Sequence, residues 1–533
     1  MCSLRIVRFV AQGVGWHYCL TLVLRNNNPI ESLMGSIKQK VFSGTMWMAA
    51  VSVCQQVLQF VVQIVLARLL VPHDYGVAAI VSTICMFAVV FSSAGIGAAI
   101  VQRRELPDSV KDAAAVITGG MAILLGGSLF LLSGRIAIWY ALPELSLLFK
   151  IVAIDIFLKV MISLYDSLML RAMQYRSLSL RSLVGLVAQA GVSIVLAKLG
   201  YGPKSLVIGY VSGSAAQLLL CLQATRYIPR SIGDWREVKG VFQFGGWVLL
   251  GRIANQAAVT LDQMITAKFL NVASIGLLNV SKNLSSLLPH TVMGFMGRIT
   301  LPVFSRWQDD LPRIESNYWR GIRLQLMIAA PLCGIVGLAS YQILALLYGS
   351  KWLAGESVMR IYAVQAVIWS MEGGLGGAVI NAMGKPKFGT IMMVISLLLI
   401  PICAYVGVHY GITGVAWAFV AFAATVITCN QFILRWQFKF RIFTMVKIIV
   451  REALAIAPML TLGCGLLRVG FLPHGTPPAL LSGEWFLWGG KTAAFSLVCL
   501  GVYLVFVRLL LPAEFLFVRD GLMGLLRKRE DVI

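Results

Sequence analysis

The chain has 533 residues, of which 59% are hydrophobic and only 13% are charged, and its mean hydropathy is +0.83. A water-soluble fold needs far more charge to cover its surface, so this composition excludes a soluble protein and indicates an integral membrane protein. The formal net charge of +23 is of a size that nucleic-acid-binding proteins also show, so its distribution along the chain has to be considered.

Fourteen membrane-spanning helices are predicted along the chain. A bilayer core of about 30 Å needs roughly 20 residues of helix, and the charge-free window 41–67 is the first of several that are long enough. The charge-free run 388–434 breaks at His409-Tyr410-Gly411 and is therefore interpreted as two helices with a tight turn. The predicted spans are 41–67, 77–101, 113–133, 145–170, 182–198, 205–225, 242–267, 275–297, 324–348, 358–383, 388–408, 412–434, 447–467 and 486–508.

The first residues differ from the rest. Residues 1–33 are half apolar, are interrupted by charges and lack the small-residue cleavage site of a signal peptide. Met34 and the short polar segment after it precede the first strong span, as a natural start would. We therefore interpret residues 1–35 as a cytoplasmic lead-in, with translation from Met34 as the alternative.

The basic residues are distributed by side of the membrane. With the N-terminus inside, the inside segments hold 31 of the 45 Lys and Arg residues. This asymmetry obeys the positive-inside rule and predicts that both termini are cytoplasmic. The positive charge then reflects topology and contact with anionic membrane lipids, and no nucleic-acid partner is predicted. The ten cysteines fall mostly within spans without a C-x-x-C pattern, which indicates packing rather than a disulfide or a metal site.

The chain contains an internal repeat. At an offset of 200 residues, Phe42, Trp47, Gln56, Gln63, Ala67, Arg68, Leu70 and Gly76 meet Phe242, Trp247, Gln256, Gln263, Ala267, Lys268, Leu270 and Gly276. Later in each half the offset becomes 209 to 210, so spans 1–6 correspond to spans 7–12. Six is an even number, so both halves enter the membrane from the same side, and such parallel repeats usually enclose a substrate path. The alternative is a duplication that serves packing alone.

The predicted organisation follows from this repeat. The predicted domains are a lead-in at 1–35, a first six-helix lobe at 36–226, a second six-helix lobe at 227–445, an extra helix pair at 446–511 and a basic cytoplasmic tail at 512–533. The fold class is an all-α polytopic membrane protein. We call 36–226 the first half and 227–445 the second half.

Polar side chains recur on one face of three spans. Span 1 carries Gln56 and Gln63 on such a face, and span 4 carries Asp155, Lys159 and Asp166. Span 7 carries Arg252, Gln256 and Gln263 on its face, with Asp262 beside them. Charged groups at this depth are costly, so each is a functional candidate. Two structural alternatives stay open: the glutamines could join helices, and Asp155 with Lys159 could form an i, i+4 ion pair of its own. Asp262, Arg252 and Lys282 have no partner on their own helix and are predicted to face a cavity.

Glu372 lies in the segment SMEGGLGGA of span 10. Its glycines would loosen the helix, and an acid beside a breakable helix suits ion coupling or gating. The alternative is that the glycines form a close-packing surface.

Enzymatic signatures are weak. The GGKT stretch at 489–492 lacks the glycine that a phosphate-binding loop needs five residues before Gly490. Asp309-Asp310 lies in a predicted inside loop of about 26 residues, too small to fold a catalytic domain. The predicted protein is not an enzyme and has no cofactor.

Several stretches resemble a known family. FSGTMWMAAVSVCQQVLQFVVQIVLARLLVPHDYGVAAIV, FSSAGIGAAIVQRRE, LRAMQYRSLSLRSL, LDQMITAKFLNVASIGLLNVSKNL and LPVFSRWQDD are similar to the polysaccharide export family, the Wzx-type flippases. That family shares a superfamily with multidrug and toxin extruders and with lipid II flippases. The resemblance covers roughly residues 36 to 450. It implies a V-shaped two-lobe transporter in the bacterial inner membrane that passes undecaprenyl-pyrophosphate-linked oligosaccharide from the cytoplasmic to the periplasmic face. Spans 13 and 14 depart from the usual twelve and are similar to the extra pair of the lipid II flippases.

Site roles follow from combining this resemblance with face and depth. Arg252, Lys159 and Lys282 would screen the substrate charge, and Gln56, Gln63 and Gln256 would bind sugar hydroxyls. Asp262, Asp155 or Glu372 would carry a coupling cation, sodium or a proton. Arg68 and Lys268, one at each copy of the repeated turn, are predicted to mark a hinge at the periplasmic mouth, with Arg68 extending to the membrane surface.

Two other functions stay open. One is a cation-coupled extruder of small amphipathic molecules, which an aromatic-lined cavity with few cations would favour. The other is a non-transporting subunit of a glycan-assembly complex, which would contact the polymerase and glycosyltransferases of the same pathway.

Overall fold

A computed structural model describes residues 29–92, 100, 107–229, 256, 260–372, 374–473, 475, 478, 482–512 and 516. Helices, joined by short turns, are its secondary structure in these ranges. Arg252, most of the predicted 1–35 lead-in and nearly all of the 512–533 tail lie outside the described residues.

The helices follow one another in the order that the hydropathy pattern predicts. They are α1 Pro29–Leu69, α2 Pro72–Ser92, α3 Asp108–Tyr140, α4 Glu144–Arg171, α5 Tyr175–Lys198, α6 Pro203–Thr225, α7 at 260–269, α8 Val272–Ser305, α9 Leu311–Leu338, α10 Ser340–Leu347, α11 Glu356–Ser370, α12 Leu375–Ala382, α13 Pro386–Val408, α14 Gly411–Phe438, α15 Phe443–Arg468 and α16 Gly483–Leu510. A 3-10 turn at Ser350–Gly355 joins α10 to α11.

The chain is a multi-pass membrane protein. Nine helical segments among the described residues have the length and hydropathy of a membrane span. Apolar side chains such as Leu131, Ile138 and Leu398 point outwards on these helices, as expected where lipid replaces water. The prediction of an all-helical polytopic membrane protein is confirmed, and the count of fourteen spans stays a prediction.

The structure corrects the inside loop that was predicted to carry Asp309-Asp310. α8 continues to Ser305 and α9 already begins at Leu311, so the loop of about 26 residues is wrong. The Asp310 carboxylate accepts the Arg313 N–H at 3.1 Å and caps α9. The polar start of α9 is helical because Ile314, Tyr318 and Ile322 recur at four-residue steps and are buried.

Two predicted spans are each divided into two helices. Span 9 is divided at Ala339, between α9 and α10. Span 10 is divided around Glu372, because α11 ends at Ser370 and α12 begins at Leu375. Gly374 has φ +79, a left-handed conformation that side chains other than glycine rarely adopt. The glycines of this segment therefore coincide with a break in the helix.

The extra helix pair packs against the second half. α15 and α16 contact each other, and both contact α9. Small residues allow close approach here: Gly463 of α15 faces Leu338, Phe495 and Cys499. The buried Tyr503 hydroxyl of α16 lies 3.1 Å from the Met327 carbonyl oxygen of α9 and 3.0 Å from the Glu452 carboxylate of α15. α16 is thereby joined to the middle of α9.

The two halves meet where α2 and α8 begin. Gly76 of α2 and Gly276 of α8, which are copies of each other in the repeat, face each other across this contact. A Cβ atom on Gly76 would overlap the Val272 carbonyl group, and one on Gly276 would overlap that of Pro72. The two backbones can approach this closely only because both residues are glycine.

We expect Gly76→Ala and Gly276→Ala each to lower the stability of the purified protein by about 1–3 kcal/mol, the usual cost of overpacking. Gly120→Ala on α3 is the matched control, because a Cβ there meets nothing within 4 Å. Thermal unfolding in detergent measures the effect. Equal melting temperatures for all three variants would contradict the close contact.

Candidate functional site

Arg68 connects the halves at the end of the bundle where α1 meets α2, which we call the α1–α2 end. Its guanidinium donates to the carbonyl oxygens of Leu347 at 3.0 Å and Leu346 at 2.5 Å. A third carbonyl oxygen, that of Pro478 in the connection between α15 and α16, lies 3.4 Å away. Leu346 and Leu347 end α10, where helix carbonyls lack partners and favour a cation. Arg68 is half-buried in this contact and does not simply extend to the membrane surface.

Lys268, the copy of Arg68 in the repeat, makes the reciprocal contact. Its ammonium group donates to the carbonyl oxygen of Trp139 and lies 4.8 Å from the centre of that indole ring. Trp139 belongs to the last turn of α3 in the first half. Each half therefore places its cation on the C-terminal turn of a helix in the other half.

Trp352 adds a third connection at the same end. The buried indole donates its N–H to the Ala67 carbonyl oxygen at 2.8 Å. The Tyr75 ring packs edge-on against it, with 5.1 Å between ring centres. The α1–α2 end of the bundle is thus closed by packed and hydrogen-bonded side chains from both halves.

A polar pocket of about 410 Å³ lies between α1 and α8. We call it the inter-half pocket. Its lining is Gln56, Gln59, Phe60 and Gln63 from α1 and Asn283, Leu284, Ser286, Leu287, His290 and Thr291 from α8. The structure therefore places Gln56 and Gln63 where the sequence predicts them, on a cavity rather than on lipid.

The α8 side of this pocket was missed by the sequence analysis. Asn279, Asn283, Ser286 and His290 recur at steps of three or four residues and so share one face of α8. The same periodicity identified the polar face of α1, so the signal was present in the sequence. Span 8 carries a single charge, Lys282, and its uncharged polar residues were not among the predicted site residues.

A second cavity of about 460 Å³ lies inside the second half, and we call it the second-half pocket. It is lined by Asp262, Lys282, Ser286, His290, Tyr362, Gln365, Ala366, Trp369, Met392, Met393, Ser396, Ile400, Phe419 and Phe422. Ser286 and His290 also line the inter-half pocket, so the two cavities adjoin along α8.

Lys282 and Asp262 form an ion pair in the second-half pocket. The Lys282 ammonium lies 3.0 Å from the Asp262 carboxylate, and the two side chains are 38% and 10% exposed. The prediction that neither has a partner on its own helix holds, because the pair joins α7 to α8. Asp262 and Lys282 were expected to act at separate positions in a cavity, and the structure places them together in one ion pair.

Asp155 organises a matching network in the first half. Its carboxylate is fully buried, accepts from the Ser214 hydroxyl at 2.5 Å and lies 2.7 Å from the Lys159 ammonium. The predicted i, i+4 pair is therefore present. The Lys159 side chain is 37% exposed, almost the same as Lys282.

The two lysines occupy similar environments. Lys159 lies 5.6 Å from the centre of the Tyr210 ring, and Lys282 lies 5.6 Å from that of the Phe419 ring. Tyr210 and Phe419 are copies at the offset of 209, although the lysines come from different spans. Each half thus presents one half-exposed ammonium group held by a buried aspartate and an aromatic ring.

The remaining polar residues of the spans have local partners. Gln256 donates to the Thr260 hydroxyl at 2.9 Å, and the Gln263 amide contacts Thr83 and Asn279. Asp166 lies 3.1 Å from Arg181 of α5, so it does not join Asp155 and Lys159 in one site. The Gln263 and Asp166 contacts join helices, which was the structural alternative for the glutamine stripe, whereas the Gln256 contact reaches only four residues along the chain.

Glu372 lies apart from both cavities, at the break between α11 and α12. Its carboxylate is 9% exposed and accepts from the Asn430 amide of α14. Among the described residues no basic side chain forms an ion pair with it. Of the three acids predicted for ion coupling, Asp155 and Asp262 hold lysines and Glu372 does not.

Comparison with known proteins adds family and fold. Residues 65–356 match the family described as polysaccharide biosynthesis protein. The chain is 21% identical over 431 residues to the teichuronic acid biosynthesis protein TuaB of Bacillus subtilis (strain 168), which covers 80% of this chain and 89% of that protein. It is 24% identical over 311 residues to the succinoglycan biosynthesis transport protein ExoT of Rhizobium meliloti (strain 1021), which covers 58% of this chain and 62% of that protein.

The fold is similar to that of a solved membrane protein. The lipid II flippase MurJ, in an inward closed conformation, aligns with a TM-score of 0.67 at 15% identity. The alignment covers 90% of this chain and 100% of that chain, so the similarity extends into the extra helix pair.

We expect Asp262→Asn to destabilise the protein by about 1–3 kcal/mol, because it leaves the half-exposed Lys282 charge without its partner inside the membrane. The double variant Asp262→Asn/Lys282→Gln should recover most of this loss, since both charges are then gone. Thermal unfolding of the purified variants measures both effects. A double variant less stable than Asp262→Asn would contradict the pairing.

Proposed function

The chain belongs to the polysaccharide biosynthesis protein family, and we propose that it is a flippase for lipid-linked glycans. It moves undecaprenyl-pyrophosphate-linked oligosaccharide units from the cytoplasmic to the periplasmic face of the inner membrane. The product feeds the assembly of a surface polysaccharide: an O-antigen, a capsule or an exopolysaccharide. The names of the related proteins, which refer to the biosynthesis or transport of teichuronic acid and succinoglycan, support this class of substrate.

The inter-half pocket is the observation that carries the proposal. It lies between the two repeats, and its polar lining consists of side-chain amides and hydroxyl groups together with His290. Such groups hydrogen-bond to sugar hydroxyls without requiring a charged ligand, while the polyprenyl tail stays in the lipid.

The cations supply the complement to the pyrophosphate. Lys159 and Lys282 are each half-exposed, and each keeps donor capacity beyond its aspartate partner. A diphosphate that reached these positions would meet one fixed ammonium group in each half. Arg252 remains part of this proposal as a third cation, although it lies outside the described residues.

The closed end of the bundle sets the direction of access. With the cytoplasmic termini that the positive-inside rule predicts, the α1–α2 end faces the periplasm. In that orientation the contacts of Arg68 and Lys268 close the periplasmic end, and export requires them to separate. Those two residues act as paired periplasmic latches in a cycle of alternating access, driven by a coupling cation.

An extruder of small amphipathic molecules is the second candidate. The lining of the second-half pocket favours this candidate. Four aromatic side chains line it together with Lys282: Tyr362, Trp369, Phe419 and Phe422. Drug resistance that depends on the gene, with unchanged surface polysaccharide, would support the extruder. A non-transporting partner of the polymerase and glycosyltransferases would instead leave export insensitive to changes inside the cavities.

The deciding experiment follows lipid-linked glycan in a deletion strain. We expect undecaprenyl-pyrophosphate-linked units to accumulate on the cytoplasmic leaflet and surface polysaccharide to be lost. The wild-type gene should restore both, and Lys282→Ala with Lys159→Ala should reduce export by about tenfold or more, the effect of losing roughly 1.4 kcal/mol of substrate binding. Lys351→Ala, in the turn between α10 and α11, is the matched control. Full export from the double variant would refute the role of the cations.

We expect Arg68→Ala to weaken the closed end, since hydrogen bonds to a charged group contribute roughly 1.5–3 kcal/mol. Labelling of a cysteine placed at Ala67 by a periplasmic, membrane-impermeant thiol reagent should become faster. Arg68→Lys should be intermediate, because one ammonium group cannot replace three guanidinium contacts. Unchanged labelling in Arg68→Ala would show that Arg68 does not hold this end closed.

A further inference from the structure

We propose that the extra helix pair holds the α1–α2 end closed, with Trp485 of α16 as a positioning residue for the contact of Arg68. Trp485 and the connection between α15 and α16 fix the position of α10, and α10 carries two of the carbonyl groups that Arg68 binds. The role of this arrangement in export rests on the proposed function, whereas the closure itself is measured on the protein without glycan.

The first argument is a carbonyl group that the two parts share. The Leu346 carbonyl oxygen accepts from the Arg68 guanidinium at 2.5 Å and from the Trp485 indole N–H at 2.8 Å. A carbonyl oxygen has two lone pairs, so it can accept both donors at once. The first half and the extra helix pair therefore meet on one atom of the second half.

The second argument is the way in which α16 begins. Trp485 lies in the first turn of α16, and the Ser482 hydroxyl caps this turn by accepting the Trp485 backbone N–H at 3.1 Å. One turn later, a Cβ atom on Gly489 would lie 3.8 Å from the Leu346 side chain, an ordinary contact distance. The start of α16 is thus fixed by its own cap and lies against the end of α10.

The third argument is the connection between α15 and α16, which holds the beginning of α10. The Tyr341 hydroxyl of α10 donates to the Gly475 carbonyl oxygen at 2.7 Å and accepts the Gly475 N–H at 3.3 Å. Leu472 is buried in one apolar cluster with Ala339, the residue between α9 and α10. Both ends of α10 are therefore attached to the extra helix pair.

α10 depends on such contacts for its position. It has only eight residues, and a helix this short is stabilised by packing rather than by its own hydrogen bonds. The N–H groups of Tyr348 and Gly349 both donate to Leu344, so they leave the Leu346 and Leu347 carbonyl groups to donors outside the helix. Any shift of α10 moves these acceptors, and we expect the extra helix pair to determine how well Arg68 can bind them.

The test follows amide hydrogen exchange in the purified full-length protein, in detergent and without glycan. Its readout is the α1–α2 turn of the first half, where the Leu70 and Val71 amides are hydrogen-bonded. Trp485→Phe keeps an aromatic ring and removes the indole donor. We expect exchange in this turn to become about two- to tenfold faster, the effect of losing one neutral hydrogen bond. α16 itself packs on α9, α10 and α15, so a merely structural role of Trp485 would alter exchange in those helices and leave the turn unchanged.

The matched control is Trp488→Phe on the same helix. Trp488 accepts the Thr492 hydroxyl at 2.8 Å through its backbone carbonyl group, which the substitution leaves in place. This variant should exchange like the wild type in the α1–α2 turn. Tyr341→Phe is an independent second variant, because it detaches α10 from the connection without changing α16. It should accelerate exchange in the same turn and keeps the proposal testable should Trp485→Phe fail to fold.

The double variant Arg68→Ala/Trp485→Phe distinguishes positioning from general loosening. Because Trp485 acts through the contact of Arg68, the double variant should exchange no faster in the turn than Arg68→Ala alone. Effects that multiply would overturn the proposal, and so would unchanged or slower exchange in Trp485→Phe.

The outcome is independent of the substrate. Because the assay contains no glycan, faster exchange in Trp485→Phe stands even if lipid-linked glycan does not accumulate in a deletion strain. Glycan accumulation in the deletion strain together with wild-type exchange in Trp485→Phe would refute only the role of the extra helix pair.

Discussion

The reciprocal contact between the halves at the α1–α2 end is the interaction on which the rest of the structure depends. Arg68 of the first half binds the end of α10, and Lys268 of the second half binds the end of α3. Between these two contacts, Gly76 and Gly276 let α2 and α8 touch backbone to backbone. Because the halves are held together here, the polar faces of α1 and α8 enclose a cavity.

Charge neutralisation separates the functions of the buried groups. Two aspartates are already paired with lysines, so their net charge is zero and the lysines are left half-exposed beside aromatic rings. Ion pairs at this depth avoid the cost of isolated charges and still present ammonium groups to a ligand. Glu372, which forms no ion pair among the described residues, lies at the break between α11 and α12. Substrate binding, at the two lysines and the inter-half pocket, and ion coupling, at Glu372, are therefore proposed at different places.

The repeat accounts for why the architecture could be predicted from the sequence. Composition and spacing along one helix predict the membrane spans and the weakened helix at Glu372. The repeat identifies Lys268 as the copy of Arg68. The family and the fold predicted from the repeated turn and the start of span 8 are confirmed. The Asp155–Lys159 pair could also be predicted from the sequence, since its members lie at i and i+4.

Contacts between side chains of different helices could not be predicted from the sequence. The Lys282–Asp262 pair joins two helices, and nothing in the spacing of either one predicts the other. The reciprocal contacts of Arg68 and Lys268 could not be predicted for a similar reason. Their partners Leu346, Leu347 and Trp139 accept these hydrogen bonds through backbone carbonyl groups, which every residue has. The sequence predicted a loop before α9 because this segment is rich in charged residues. The four-residue recurrence of Ile314, Tyr318 and Ile322 indicates a helix there instead.

Direct measurement of transport tests the central claim. Purified protein is reconstituted in liposomes with lipid-linked oligosaccharide in both leaflets, and a membrane-impermeant glycosidase is added outside. The account predicts that empty liposomes protect the inner-leaflet glycan, whereas liposomes with the protein expose all of it to cleavage over time. Continued protection of the inner-leaflet glycan with folded wild-type protein, inserted in both orientations and supplied with a sodium or proton gradient, would contradict it.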